Sequence, residues 1–251
     1  MLDVESKGPI KSISINRPDV KNAFNDRLIE ALHEAFREIS SETRAVVLSG
    51  RGDAFCAGGD LNWMKRAATY SVEQNAEDAL RLAHLYESIQ NCPVPVIARV
   101  QGHAFGGALG LIAASDIAIA ADNALFAFSE VNLGLLPATI SPFVLRKIGE
   151  GHARALFTTG ERFGADHALR IGLVHEVTTL DGLDAAVNAK LKRLLAAGPV
   201  AVRQSKALAL GGPISLEAAS QLLADARSSA EGREGVSAFL EKRKASFAQE
   251  L

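Results

Sequence analysis

Two glycine pairs and one glutamate are the residues whose types and spacing can do chemistry. Ala57-Gly-Gly59 and Phe105-Gly-Gly107 each follow an apolar run that reads as a strand, and each precedes a helical pattern. At such a turn the backbone N–H groups lack a partner and lie at the positive end of the coming helix, which suits an oxygen gaining negative charge. Glycine also leaves room for a bulky group to reach those donors. Glycines that serve only tight helix–strand packing would give the same pattern, so the spacing leaves both readings open. Glu130 stands in Phe126-Ala-Phe-Ser-Glu-Val-Asn-Leu-Gly134. If strand alternation continues through this run, its carboxylate shares a face with Phe126 and Phe128. Desolvation would then raise its pKa, which helps a group that must take and give protons. A glutamate at a strand end that turns to solvent is the competing reading.

Other chemistries find less. Gly102, Gly106, Gly107 and Gly110 fit neither G-x-G-x-x-G nor a P-loop, and Phe55 stands where a dinucleotide fingerprint after Gly50-x-Gly52 needs its third glycine. The six histidines are scattered without ligand spacing, so no metal is expected. No G-x-S-x-G elbow occurs, and Cys56 has no evident base beside it.

The elements that must position these residues alternate. Ile10–Ile15 reads as a half-buried strand ending at Asn16-Arg-Pro18. Asn25 can cap a helix that carries Leu28, Leu32, Phe36 and Ile39 on one face. Strands are expected at 44–49, 94–100, 117–121 and 124–128, and helices at 76–90 and 109–115. The first 180 or so residues thus recur as strand, strand, helix, an α/β pattern. After Gly198-Pro199 the chain reads as separate helices, through Leu210, over 216–227 and over 236–247.

Composition bounds the rest. At 251 residues, 48% of them apolar, the chain can bury a large core, and a net charge of −2 gives no general attraction to nucleic acid or anionic membrane. The two cysteines, Cys56 and Cys92, read as buried thiols of a reducing compartment. No basic-then-apolar leader opens the chain and no apolar run spans a bilayer, so a soluble cytoplasmic protein is expected.

Six ordered segments then carry a resemblance: Ile15-Asn-Arg-Pro18 with Asn22-Ala23, Ala54 to Leu61, Gln101 to Gly107, Phe128 to Gly134, Gly172-Leu-Val174, and Ala238 to Lys244. Over its whole length the chain resembles the crotonase (enoyl-CoA hydratase/isomerase) superfamily. The resemblance implies a spiral α/β core over residues 1–195 with a helical trimerisation region at 196–251, and a homotrimer or dimer of trimers. It implies that the N–H groups of Gly59 and Gly107 hold an acyl-CoA thioester oxygen, with Glu130 as acid/base. It places Ala57, Asp60 and Leu61 around the CoA adenine and Lys242, beside Phe239, at a CoA phosphate. Trp63 and Met64 are candidates for the acyl pocket, with core packing as the alternative. Coenzyme A enters as part of the substrate, and no separate cofactor is expected.

One departure matters. The best-known hydratases use a second glutamate on the helix after the glycine turn, and that position is Gly110. The run Gly106 to Leu111 with Ser129 to Phe143 resembles a bacterial branch associated with methylglutaconyl-CoA and carboxygeranoyl-CoA. The favoured expectation is reversible hydration of a 2-enoyl-CoA, with 3-enoyl-CoA to 2-enoyl-CoA isomerisation and non-catalytic acyl-CoA binding as alternatives. An RNA-binding relative is a different class, attributed to a lysine-rich first helix. Here that helix carries Glu30, Glu34 and Glu38 against Arg27 and Arg37, which disfavours it.

Overall fold

The computed structural model describes residues 1–251. In chain order the elements are β1 (Leu2–Lys7), β2 (Ile10–Ile15), α1 (Asp26–Arg37), β3 (Ala45–Gly50), α2 (Leu61–Ala67), α3 (Val72–Gln90), β4 (Val96–Val100), β5 (His103–Phe105), α4 (Ala108–Ala114), β6 (Ile117–Ala121), β7 (Leu125–Ala127), α5 (Ser141–Thr159), β8 (Arg162–Gly164), α6 (Ala165–Arg170), β9 (Glu176–Thr178), α7 (Leu183–Ala196), α8 (Pro199–Gly211), α9 (Leu216–Ser228) and α10 (Ala230–Leu240).

Two sheets share these strands. The larger has the order β1-β2-β3-β4-β6-β9, antiparallel only at β1–β2; the smaller has the order β5-β7-β8. The strands expected at 94–100, 117–121 and 124–128 exist at 96–100, 117–121 and 125–127, and β5 is a further strand beyond those expected. The members of the pairs β4–β5 and β6–β7 do not lie side by side. β4 and β6 enter the large sheet, whereas β5 and β7 cross into the small one. The crossing between β4 and β5 needs glycine: Gly102 has φ +61°, and a Cβ there would lie 1.9 Å from the Asp53 carbonyl oxygen.

Buried residues explain the layering. Ile13, Ile15, Leu48, Ala98 and Val100 face the main core with α1, α3 and α4, while Ile10, Val47, Ile97 and Ile119 face α7 through Leu183, Val187 and Leu191. This is the alternation of a sheet buried on both sides. Asn25 caps α1 by accepting the Leu28 N–H at 2.9 Å, and the helix buries Leu28, Leu32 and Phe36. Ile39 lies beyond its end. Ser71 and Gln74 form a capping box that starts α3 at Val72, four residues before the expected Ala76. No helix is long and apolar enough to cross a membrane.

Two expectations need correction. The 124–128 strand ends at Ala127, and Glu130 belongs to a 3-10 turn, Ser129–Leu133. It does not continue the alternation of Phe126 and Phe128. The last helix spans Ala230–Leu240, because Ser229 caps it through the Gly232 N–H at 2.9 Å. Lys242, with φ +55°, then turns the chain, so it follows the helix and is no part of its last turn. The tail folds back on the body. Lys206 of α8 pairs with Asp116 at 2.7 Å, and Glu231 accepts the Val200 and Ala201 N–H groups at the start of α8.

Candidate active site

The fold brings the two glycine turns together. Cys56 and Ala104 form a bridge, with the Phe105 N–H donating to the Cys56 carbonyl and the Cys56 N–H to the His103 carbonyl, both at 3.1 Å. Gly58, at φ +91°, lets the first turn close on the second: a Cβ there would lie 2.9 Å from the Phe105 oxygen. Phe24 laces both turns. Its N–H donates to Gly58, its carbonyl accepts from Asp60, and its ring lies against Gly107. Asn22, fully buried, holds the approach to the first turn by donating to the Arg51 and Ala54 carbonyls at 2.8 Å.

Within this arrangement the N–H groups of Gly59 and Gly107 donate to no acceptor in the chain, whereas those of Asp60 and Gly106 are taken by Phe24 and Ala127. The Glu130 carboxylate sits beside the second turn, 3.6 Å from where a Cβ of Gly106 would be. Its Oε2 is buried without a partner. Burial raises its pKa above the ordinary value, partly opposed by a hydrogen bond from its own backbone N–H. Two donors without partners thus lie on two turns joined by the Cys56–Ala104 bridge, with one desolvated acceptor beside the second turn, groups of the kind that can hold a negative oxygen and move a proton.

The other expected residues divide. Met64 and Trp63 pack over Gly59, at 3.2 and 3.6 Å from its Cβ direction, and the Trp63 indole N–H is buried and unpaired. Asp60 is already engaged. Its Oδ1 caps α2 through Asn62 and Trp63, and its Oδ2 takes Arg17 at 2.8 Å, which lowers its pKa. Asp60 therefore shapes this loop and offers no free carboxylate oxygen. Ala57 is tied by its N–H to Lys21, and Leu61, 75% exposed, opens α2. Phe239 and Lys242 are exposed at the end of α10, and no hydrogen bond or ion pair joins them to the cluster. Of the basic run, Arg243 pairs with Glu234 and Glu241, and Lys244 with Glu250; Lys242 has no carboxylate partner.

Tyr86 was not singled out by the sequence, where it reads as one more apolar position of α3 beside Leu82, Leu85 and Ile89. It is fully buried and its hydroxyl donates to the Gly107 carbonyl at 2.8 Å. Cys56 is an inert neighbour, since burial pushes its thiol up to about 12. No group of three His, Cys, Asp or Glu side chains is placed to hold a metal. A cavity of about 750 Å³ lies elsewhere, on the outer face of the large sheet among Ser12, Ser14, Ser49, Arg99 and Gln101. Several of its polar groups already pair, Ser14 with Ser49 and Arg99 with Asp184.

Comparison with known proteins identifies the family. A sequence profile described as enoyl-CoA hydratase/isomerase matches residues 5–250. A crotonyl-CoA hydratase of Syntrophomonas wolfei is 34% identical, covering 97% of this chain and 96% of its own. A crystal structure of an enoyl-CoA hydratase from Shewanella pealeana is 40% identical with TM-score 0.92, over 98% of this chain and 95% of that one. Pseudomonas aeruginosa AtuE is 37% identical with TM-score 0.95, over 99% of both chains. The chain is a member of the enoyl-CoA hydratase/isomerase family, an enzyme with the crotonase fold.

Proposed function

We propose that the protein catalyses reversible hydration of a 2-enoyl-CoA, a branched one such as methylglutaconyl-CoA being the preferred class. The observation that carries the reading is the desolvated Glu130 carboxylate beside two glycine turns with free N–H groups. In this reading the Gly59 and Gly107 N–H groups bind the thioester oxygen and draw charge from the conjugated double bond. Glu130 takes a proton from water as its oxygen bonds to C3. The negative charge collects on the thioester oxygen, and the same carboxyl group returns its proton to C2. Water and alkene are consumed and a 3-hydroxyacyl-CoA results, with no second carboxylate required.

The state of position 110 favours a second reading. A Cβ on Gly110 would lie 2.6 Å from the Tyr86 ring and from Ile140. That side of the site is apolar and filled, and one base that shuttles a proton from C2 to C4 suits isomerisation of a 3-enoyl-CoA. Oxygen-18 water separates the two. Hydration places the heavy oxygen at C3 of the product from methylglutaconyl-CoA or crotonyl-CoA. Conversion of 3-enoyl-CoA with no label entering any enoyl substrate would replace the first reading with the second.

Lys242, free of carboxylates, is proposed to meet the CoA 3′-phosphate, a charge-assisted contact. Lys242→Ala should weaken CoA thioester binding about tenfold while leaving the dephospho-CoA thioester nearly unaffected, the weight expected of one hydrogen bond to a charged group. Titration of both ligands decides, since equal losses would assign Lys242 to assembly. The helical region 196–251 is proposed to assemble a trimer or dimer of trimers, because Leu216 on α9 and Phe239 on α10 are each 82% exposed, with Val236 and Leu240 of α10 exposed as well. A monomer by light scattering at micromolar concentration would end that proposal.

A further inference from the structure

Tyr86 is joined to the site by two observations. Its hydroxyl donates to the Gly107 carbonyl at 2.8 Å, and its ring occupies the space that any side chain at position 110 would enter. The ring is itself held edge-on by Phe143, with centroids 5.7 Å apart. Burial pushes the phenol well above its ordinary pKa of 10, with the nearby Cys56 and Glu130 adding to the shift, so the hydroxyl stays a neutral donor. Gly107 is therefore bonded on its carbonyl side by a side chain. The Gly110 N–H reaches the same oxygen at 3.0 Å, and the Gly106 carbonyl is taken by the Leu109 N–H at 3.0 Å. Those two are bonds of the opening turn of α4, which a short helix end lets fray. The phenol bond comes from α3 and resists that fraying. Between these bonded carbonyls stands the free N–H of Gly107.

We propose that Tyr86 is a positioning residue for the Gly107 donor: its hydroxyl fixes the Gly107–Ala108 peptide, next to the one that offers the N–H to the thioester oxygen, and so holds Gly107 from its carbonyl side. The proposal rests on the reading of Gly59 and Gly107 as thioester donors. Turnover is affected because a donor aimed before reaction stabilises the charged state more than one that must reorient. It also gives the ring at position 110 a role. The space that holds a carboxylate in two-glutamate hydratases holds here the support of the remaining machinery.

Tyr86→Phe keeps the ring and deletes only the hydroxyl. The probe is an aryl-conjugated enoyl-CoA, whose absorption moves to longer wavelength when its carbonyl accepts hydrogen bonds. The expected result is a full red shift on binding wild type, a clearly smaller shift with Tyr86→Phe at similar affinity, and kcat about tenfold lower with KM changed less than twofold. The acid limb of the pH profile, set by Glu130, should stay in place. A full red shift with kcat within twofold of wild type in Tyr86→Phe would overturn the positioning role and leave the thioester donors standing. Absence of any red shift in wild type would overturn both.

Discussion

Glu130→Gln should lower turnover at least about a hundredfold while preserving fold and CoA thioester affinity, because it removes the carboxylate with a free oxygen beside the glycine turns, both oxygens of Asp60 being engaged. The same substitution should raise thermal stability at neutral pH. Burial raises the Glu130 pKa in the folded chain, so its protonated form is favoured there. That preference stabilises the protein below the unfolded pKa and is lost as pH rises through the folded one. An ionised Glu130 is a buried charge with an unpaired oxygen, whereas the amide carries no charge there. The melting temperature of Glu130→Gln should exceed that of wild type at pH 7, and the gap should close on acidification. In wild type, turnover should fall with pH around a midpoint above the ordinary glutamate value of 4.5. Near-normal turnover in Glu130→Gln would take Glu130 out of the mechanism.

Gly110→Glu should not create a two-carboxylate hydratase. A Cβ at this position would already lie 2.6 Å from Tyr86 Cε1, Tyr86 Cζ and Ile140 Cγ2. Gly110→Ala alone should cost about 1–3 kcal/mol by overpacking, set against roughly 1 kcal/mol of gained helix propensity. The glutamate adds an unpaired carboxylate among apolar groups, so a loss of ~3 kcal/mol or more is expected. Thermal unfolding beside an activity assay gives the answer. A variant that melts like wild type and turns over faster would mean that Tyr86 moves aside readily and that the pocket is not closed.

The parts of the chain that could be read from sequence were those whose signals are local. Ile10–Ile15 and Ile117–Ala121 appear in full as strands because alternation and turn residues bound them. Asn25 caps as its type suggests, and Gly106-Gly107 stands where a strand meets a helix, whereas Gly58-Gly59 lies in the loop between β3 and α2. What escaped depends on contacts distant in sequence. That β4 and β5 belong to different sheets is decided by the close pass of Gly102 over Asp53. Glu130 reaches the site through a 3-10 turn that ends at Gly134 in the left-handed region, a change of period that alternation of Phe126 and Phe128 cannot announce. Tyr86 was hidden because a buried tyrosine on an amphipathic helix looks like any core residue until its hydroxyl is seen to have a partner 21 positions away.

Arg44 gives the tail a property of its own. Its guanidinium donates to the Leu194 and Ala197 carbonyls at the end of α7 and to Phe247 near the C-terminus, while the Gln249 N–H returns to Leu195. With Lys206 fastening α8 to Asp116, the three tail helices form a loop tied down at both ends. The exposed connection from Gly212 to Ser215 lies between those ties, where a protease finds its easiest access. A chain nicked there would run as two fragments in detergent yet travel as one particle in native buffer, its halves kept in register by non-covalent bonds alone.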